Sequence, residues 1–320
     1  MSLETFWFIV VAFFWTGFFV LEGFDFGVGV LHTVVGRDER ERRTALGAIG
    51  PFWDGNEVWL IVAGAAMFAA FPAWYATLFS GLYLALLLIL VALMARGASF
   101  EFGEKVTSAR WQRTWTWATT LGSGALPLLF GIGLGGMVAG FPIDADGEYT
   151  GGFRDIFTAY GVWTGLTLLS LSVLHGATFL ALKTEGAVRE RSRAIGVRLW
   201  LATLVASAVF AAWSPTVLSV LAAVAVLAAG ALLRAGREGR AFATTAVAMA
   251  GTVSSLFVDL FPNVLISSTD AAYNLTVSGA ASGSYALKVM TIAAAIFVPL
   301  ILLYQSWTYR VFRARVHDSA

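Results

Sequence analysis

Cysteine is absent from the 320-residue chain. That excludes disulfides, zinc–thiolate centres, iron–sulfur clusters and thiol nucleophiles. Charge is scarce: 13% of residues are Asp, Glu, Lys or Arg, against about a quarter in a soluble domain. With 58% hydrophobic residues and a mean hydropathy of +0.76, the chain has too little polar surface to cover a water-soluble globule. The apolar excess must face lipid. Histidine occurs three times. No Ser/His/Asp constellation, phosphate loop or metal-ligand cluster is present, so hydrolase or ATPase chemistry has no support. The Gly131–Gly136 run lies in an apolar stretch, not at a strand–helix turn. The net charge of +1 argues neither for nor against nucleic acid, and no nucleic-acid partner is expected. Low-complexity tracts, linkers and short repeats are also lacking, so one transmembrane domain, 1–320, is expected.

What is present is a series of long apolar runs. They fall near 6–34, 48–71, 74–96, 114–140, 156–182, 197–213, 216–233, 241–261 and 286–308. Each is near the roughly 20 residues that cross a bilayer as a helix, and their length excludes the alternating short strands of a β-barrel. The opening MSLETFWFIVV lacks a basic n-region and runs on too long for a signal peptide, so it reads as the first retained span. Only Ser214–Pro215 separate the sixth and seventh runs, which predicts a helical hairpin. The expected fold is therefore an all-α polytopic transmembrane bundle of about nine spans.

Basic residues support that count. With nine spans, 19 of the 21 Lys and Arg fall on one side, and only Arg154 and Lys288 on the other. The basic side is expected to be cytoplasmic, which places the N-terminus outside and the C-terminus inside. The opposite side carries an acidic loop with Asp144, Asp146, Glu148 and Asp155, and a polar loop near 262–285.

Five carboxylates lie inside apolar runs: Glu22, Asp25, Asp54, Glu57 and Asp259. A carboxylate at membrane depth is costly unless paired, wetted or protonated, which makes each a functional candidate. Glu22 and Asp25 share a helix face, as do Asp54 and Glu57. Sequential spans should bring Asp25, Asp54 and Arg96 to a similar depth, with Asp54 on the order of 8 Å inside the second span and Arg96 ending the third. Arg96 would tune the carboxylates. Proton or ion handling competes here with a purely structural ion pair. Asp259 sits near the outer end of the eighth span, where interfacial water suffices. Gly23 and Gly27 form a small-xxx-small pair that permits close helix approach. His32 and His175 are isolated, and structural hydrogen bonding is a simpler role for them than haem ligation. His317 reads as a solvated tail residue. Most of the 12 Trp fall at span ends as anchors, while Trp53 and Trp59 flank the carboxylates.

Several segments together resemble subunit II of cytochrome bd-type quinol oxidases. They are GFDFGVGVL at 23–31 with GRDERERR at 36–43, PFWDGNEVWLIVAGAAMFAAFP at 51–72, and RWQRTWTW at 110–117. Further along come SSTDAAYNLTV at 267–277 and LKVMTIAAAIFVPLILLYQSWTYRVF at 287–312. Residues 187–250 carry little of the motif. The resemblance implies a bacterial plasma-membrane heterodimer with a subunit I that holds the quinol site, haem b and haem d. The complex would oxidise quinol, reduce dioxygen to water and draw protons from the cytoplasm. This chain would ligate no haem and would supply a proton route. Asp54 of WDGN is the first candidate carrier, then Asp25 of GFD. Glu22 and Glu57 would extend the relay, Arg96 would tune it, and Trp53, Asn56 and Trp59 would support the network. A bound structural quinone or lipid and a small accessory subunit remain open. Buried carboxylates on adjacent spans would equally suit a proton- or cation-coupled transporter. A scaffold without proton chemistry is the third reading.

Overall fold

The computed structural model describes residues 1–103, 105–106 and 108–316. Eleven α-helices follow in order: α1 (Leu3–Val35), α2 (Glu39–Gly47), α3 (Trp53–Ala70), α4 (Pro72–Gly81), α5 (Tyr83–Phe102) and α6 (Ala109–Ala139). After them come α7 (Ala159–Lys183), α8 (Gly186–Trp213), α9 (Val217–Arg234), α10 (Glu238–Leu260) and α11 (Ser284–Val311). Eight of them, α1 and α5 to α11 without a gap, are long and apolar enough to cross a bilayer alone. Helices α3 and α4 form a pair bent by 119°, which makes a ninth candidate span.

That bend corrects two expected boundaries. The run 74–96 is not one span. Its first part is α4, folded back across the end of α3, and the third crossing is α5 alone. Pro72 explains the bend between α3 and α4, since it starts α4 without an N–H and disfavours helical geometry at Phe71 before it; the break inside the run 74–96 falls at Leu82, between α4 and α5. The freed carbonyls of α3 are met from far along the chain: Ser282 donates its N–H to Ala70 O at 2.8 Å and its hydroxyl to Ala69 O at 2.6 Å. Helix α5 also continues past Arg96 to Phe102, so Arg96 lies six residues, about 9 Å, inside the helix end instead of terminating it.

Helix α1 is the centre of the bundle and packs against α3, α6, α7 and α10. The α1–α7 crossing depends on glycine. A Cβ on Gly27 would sit 1.9 Å from Ser172 O, and one on Gly176 would sit 2.4 Å from Gly27 C. Of the small-residue pair read from the sequence, Gly27 brings two backbones into contact, while Gly23 faces the side chains of Met249 and Ser172. Helices α8 and α9 form the expected antiparallel hairpin: Arg193 reaches back to Leu233 O at 2.9 Å, and Gly230 abuts Trp200.

The two polar loops at the acidic end join into a cap. Phe141 N–H bonds Ile266 O, Ser268 N–H bonds Phe141 O, and Ser267 Oγ donates to Ile143 O. A short antiparallel pair, β1 (Asn263–Leu265) with β2 (Leu275–Thr276), completes it. At the basic end, the C-terminal segment is strapped to the bundle. Lys183 Nζ donates to the carbonyls of Phe312 and Ala314, Arg315 donates to Leu182 O, and Val316 N–H bonds Lys183 O. The strap holds the end of α11, whose only buried residue is Leu287. His317 lies outside the described residues.

Helix α2 docks on α8 through Glu41, whose carboxylate accepts from the Arg191 guanidinium and from Arg37 N–H. Those bonds hold the Glu41 carboxyl down at about 2. Because the docked state prefers the ionised form, the docking contribution is fully present above the ordinary value of 4.5 and fades as pH falls toward about 2. Protection of 36–47 against hydrogen exchange, taken relative to the intrinsic amide rate at each pH, should therefore be unchanged from pH 7 to pH 5 and fall below about pH 4. Arg191→Gln should lower that protection at neutral pH and make little difference where Glu41 is protonated. A flat profile down to pH 3 in the parent chain would contradict this docking.

Candidate functional site: a buried carboxylate–guanidinium network

Three elements build the site near the basic end of the bundle: the second half of α1, the first turns of α3 and the second half of α5. Glu22, Asp25 and Arg96 are each fully buried. Arg96 Nη1 lies 2.6 Å from Glu22 Oε1 and 3.8 Å from Glu57 Oε2. The guanidinium is flanked by the rings of Phe26 and Phe100, 5.1 and 5.2 Å from their centroids. Planar, always charged and weakly hydrated, Arg is the cation suited to such an apolar enclosure.

Asp25 is held differently. Asn56 Nδ2 donates to Asp25 Oδ2 at 2.7 Å and to Leu21 O at 3.0 Å. Asn56 Oδ1 accepts from Gln305 Nε2 at 2.8 Å and Tyr309 OH at 3.0 Å. A main-chain carbonyl can only accept, so the Leu21 contact fixes which end of the Asn56 amide faces Asp25. Tyr309 is itself clamped by stacking on Phe52, with centroids 4.6 Å apart.

The network is not saturated. Neither Glu22 oxygen, nor Asp25 Oδ1, nor any Arg96 nitrogen makes a well-aligned hydrogen bond among the described residues, despite the close Arg96–Glu22 approach. Buried polar groups left this way are costly and require an explanation. Spare hydrogen-bonding capacity beside three carboxylates and one fixed cation suits a group that accepts and releases protons.

The sequence expectations are met unevenly. Glu22, Asp25, Glu57, Asn56 and Arg96 converge. Asp54 does not join them. It is exposed on the outer face of α3 beside the exposed Gly55. Asn56 follows Asp54 by two residues, about 200° around a helix, so when Asn56 faces α1 Asp54 faces away. Glu57 lies between, half-buried, and connects the two faces. Arg96 pairs with Glu22, and Asp54, expected at a similar depth to Asp25 and Arg96, stands apart from them on the outer face of α3. Trp53 packs on Phe100, with ring centroids 5.0 Å apart, and Trp59 packs on Phe13 and Phe14 of α1, over Gly17. Trp59 thus walls the helix contact away from the carboxylates. Gln305 and Tyr309 were not anticipated. Their signal was present, as two polar side chains four residues apart on one face of an apolar span.

The remaining candidates have structural partners. His175 is fully buried. Its Nδ1 meets Thr245 Oγ1 at 2.7 Å, its Nε2 meets Val20 O at 3.2 Å, and its ring stacks on Phe242. With both nitrogens engaged inside the chain, His175 does not fit a haem axial ligand. His32 Nδ1 meets Gly29 O at 2.7 Å within its own helix. Asp259 accepts from Ser214 Oγ, tying the end of α10 to the α8–α9 turn.

Comparison with known proteins agrees with this architecture. The family model for cytochrome bd terminal oxidase subunit II matches residues 3–312. Cytochrome bd ubiquinol oxidase subunit 2 of Bacillus subtilis is 41% identical, covering 98% of this chain and 97% of that protein. Cytochrome bd-I ubiquinol oxidase subunit 2 of Escherichia coli K12 is 32% identical, covering 96% and 93%. The solved bd oxidase of Geobacillus thermodenitrificans contains a chain with the same fold, at a TM-score of 0.77 and 20% identity, covering 98% of this chain and 99% of that one. The chain belongs to the cytochrome bd terminal oxidase subunit II family.

Proposed function

We propose that this chain is the proton-supplying subunit of a quinol oxidase in the bacterial plasma membrane, with the basic end of the bundle facing the cytoplasm. Membership in a cytochrome bd family implies haem in the complex. The reading assigns haem b, haem d and the quinol site to a partner subunit I, and proton delivery to this chain. The observation that carries it is the convergence of Glu22, Asp25 and Glu57 on Arg96 inside the bundle, with the exposed Asp54 one helical turn from Glu57.

In this reading Arg96 keeps negative charge tolerable at depth, and Asn56 fixes Asp25. Glu57 links the interior to Asp54. An uncovered carboxylate on a spanning helix is expensive in lipid, so the face of α3 that bears Asp54, continuous with the exposed α11, is where subunit I would seat. Protons would pass between Asp54 at that seam and the Glu22–Asp25 pair. Asp54→Asn should lower quinol-driven oxygen consumption of the assembled complex on the order of tenfold, less than the roughly 100-fold or more of a buried proton-transfer group, with haem spectra intact. Unchanged turnover in a complex with full haem content would remove Asp54 from the route.

A further inference from the structure

Helix α11 delivers Gln305 and Tyr309 to Asn56, yet packing hardly holds it, since Leu287 is its only buried residue. Polar anchors hold it instead. Near its start, Trp7 Nε1–H points to Leu287 O at 3.2 Å and Thr291 Oγ1 at 3.0 Å. From Leu287 to Tyr309 is roughly 33 Å along the helix, at about 1.5 Å per residue. That anchor is too remote to set where Tyr309 aims. The anchor near Tyr309 is Lys183.

Lys183 is an unexpected residue for this place. It is 7% exposed. Its ammonium donates to the main-chain carbonyls of Phe312 and Ala314, and no carboxylate pairs with it among the described residues. Lysine is almost never buried without a counter-ion, and an uncompensated buried cation is costly. Packing alone would be served better by an apolar side chain of similar length. The contacts of Lys183 converge on Tyr309. Phe312, the C-cap of α11, lies nearly one turn after Tyr309. Lys183 Nζ also lies 5.5 Å from the centroid of the Phe52 ring. Tyr309 stacks on that same ring, with centroids 4.6 Å apart and planes at 25°, and Phe312 meets it edge-on at 6.2 Å. One side chain therefore fixes both the backbone just beyond Tyr309 and the ring against which Tyr309 lies.

The links onward are short. Tyr309 OH at 3.0 Å and Gln305 Nε2 at 2.8 Å both donate to Asn56 Oδ1. With its oxygen occupied, Asn56 turns its amide nitrogen to Asp25 Oδ2 at 2.7 Å. We infer that Lys183 is a positioning residue for Asp25: it clamps the end of α11 and the Phe52 ring, so that Tyr309 and Gln305 hold the Asn56 amide against the carboxyl group. Its effect on turnover rests on the proton-route reading; its effect on Asp25 itself does not.

The complete oxidase carrying Lys183→Met tests this, because methionine keeps an apolar stem and loses every donor. Two quantities are read in assembled, haem-loaded complex. One is quinol-driven oxygen consumption. The other is the infrared bands of the Asp25 carboxyl group, identified by their loss in Asp25→Asn. Lys183→Met should shift those bands as Tyr309→Phe does. It should also lower turnover about tenfold, part of the roughly 100-fold that an ångström-scale misplacement can cost. Lys183→Arg keeps a cation with donors for both carbonyls and should retain the wild-type bands and most of the turnover. In a Gln305→Leu, Tyr309→Phe background, adding Lys183→Met should change neither quantity, since the link is already cut. A chain ending at Phe312 removes the Ala314 and Val316 contacts from the other side and should shift the same bands. It carries the test if Lys183→Met fails to assemble. Shifted bands at wild-type turnover would support the clamp and end the proton-route reading. The inference is overturned if neither variant moves the Asp25 bands, which would mean that subunit I holds α11 without the strap. It is equally overturned if Lys183→Met acts undiminished in the Gln305→Leu, Tyr309→Phe background.

Discussion

Asp25→Asn is expected to reduce quinol-driven oxygen consumption of the assembled oxidase by about 100-fold, the scale of a lost proton-transfer group, while leaving haem content and subunit association intact. The separation of the two effects follows from the geometry. Asp25 receives its one well-formed hydrogen bond at Oδ2, from Asn56 Nδ2 at 2.7 Å. An asparagine can present its own carbonyl oxygen to that donor, so packing and the Asn56–Gln305–Tyr309 chain survive. What disappears is an ionisable oxygen in a fully buried position. Turnover measured beside the reduced-minus-oxidised haem spectrum separates the cases. Wild-type turnover in a fully haem-loaded variant would end the proton-route reading. Loss of haem in step with turnover would instead favour a scaffold role.

Arg96→Met should have the largest effect on stability. It leaves Glu22 buried, with the one cation close to it among the described residues removed. Breaking a buried pair by deleting one partner costs about 3–5 kcal/mol, because the remaining charge is uncompensated. The expected result is little assembled complex and a clearly lowered thermal midpoint. The companion variant makes the argument specific. Glu22→Gln in the same chain removes the stranded charge, and replacing a buried pair as a whole is often nearly neutral. Arg96→Met with Glu22→Gln should therefore recover most of the assembly that Arg96→Met loses, without recovering turnover. If the double variant assembles no better than the single one, Arg96 acts through its packing between Phe26 and Phe100 instead of through charge.

Both effects rest on a site that was half visible in the sequence. That Glu22, Asp25, Glu57 and Arg96 are ionisable groups set within spanning helices could be read directly, because such residues inside apolar runs stand out against lipid. Which of them meet could not. Asp54 and Asn56 lie two residues apart in one motif, yet α3's rotation turns Asn56 toward Asp25 and Asp54 to the surface. Helical geometry implies that the two diverge, but nothing local says which one faces inward. That is set by Trp59 packing on Phe13 and Phe14, with Gly17 making room for it, which fixes how α3 sits on α1. Gln305 and Tyr309 reach Asn56 from some 250 residues away, a contact that no periodicity within α11 could announce.

The sequence by itself determined the solvent, the helical class of the spans and the segregation of charge. In a bilayer each spanning segment must satisfy its own backbone hydrogen bonds, so length and hydropathy already dictate helices. Tertiary structure decided what depends on direction. Hydropathy carries no sign for a turn, so the end of α4 at Gly81 was hidden inside the continuous apolar run 74–96, and with it the 119° fold of α4 against α3. Likewise the faces that helices present and the strap from Lys183 to the C-terminal segment exist only once the helices have chosen their neighbours.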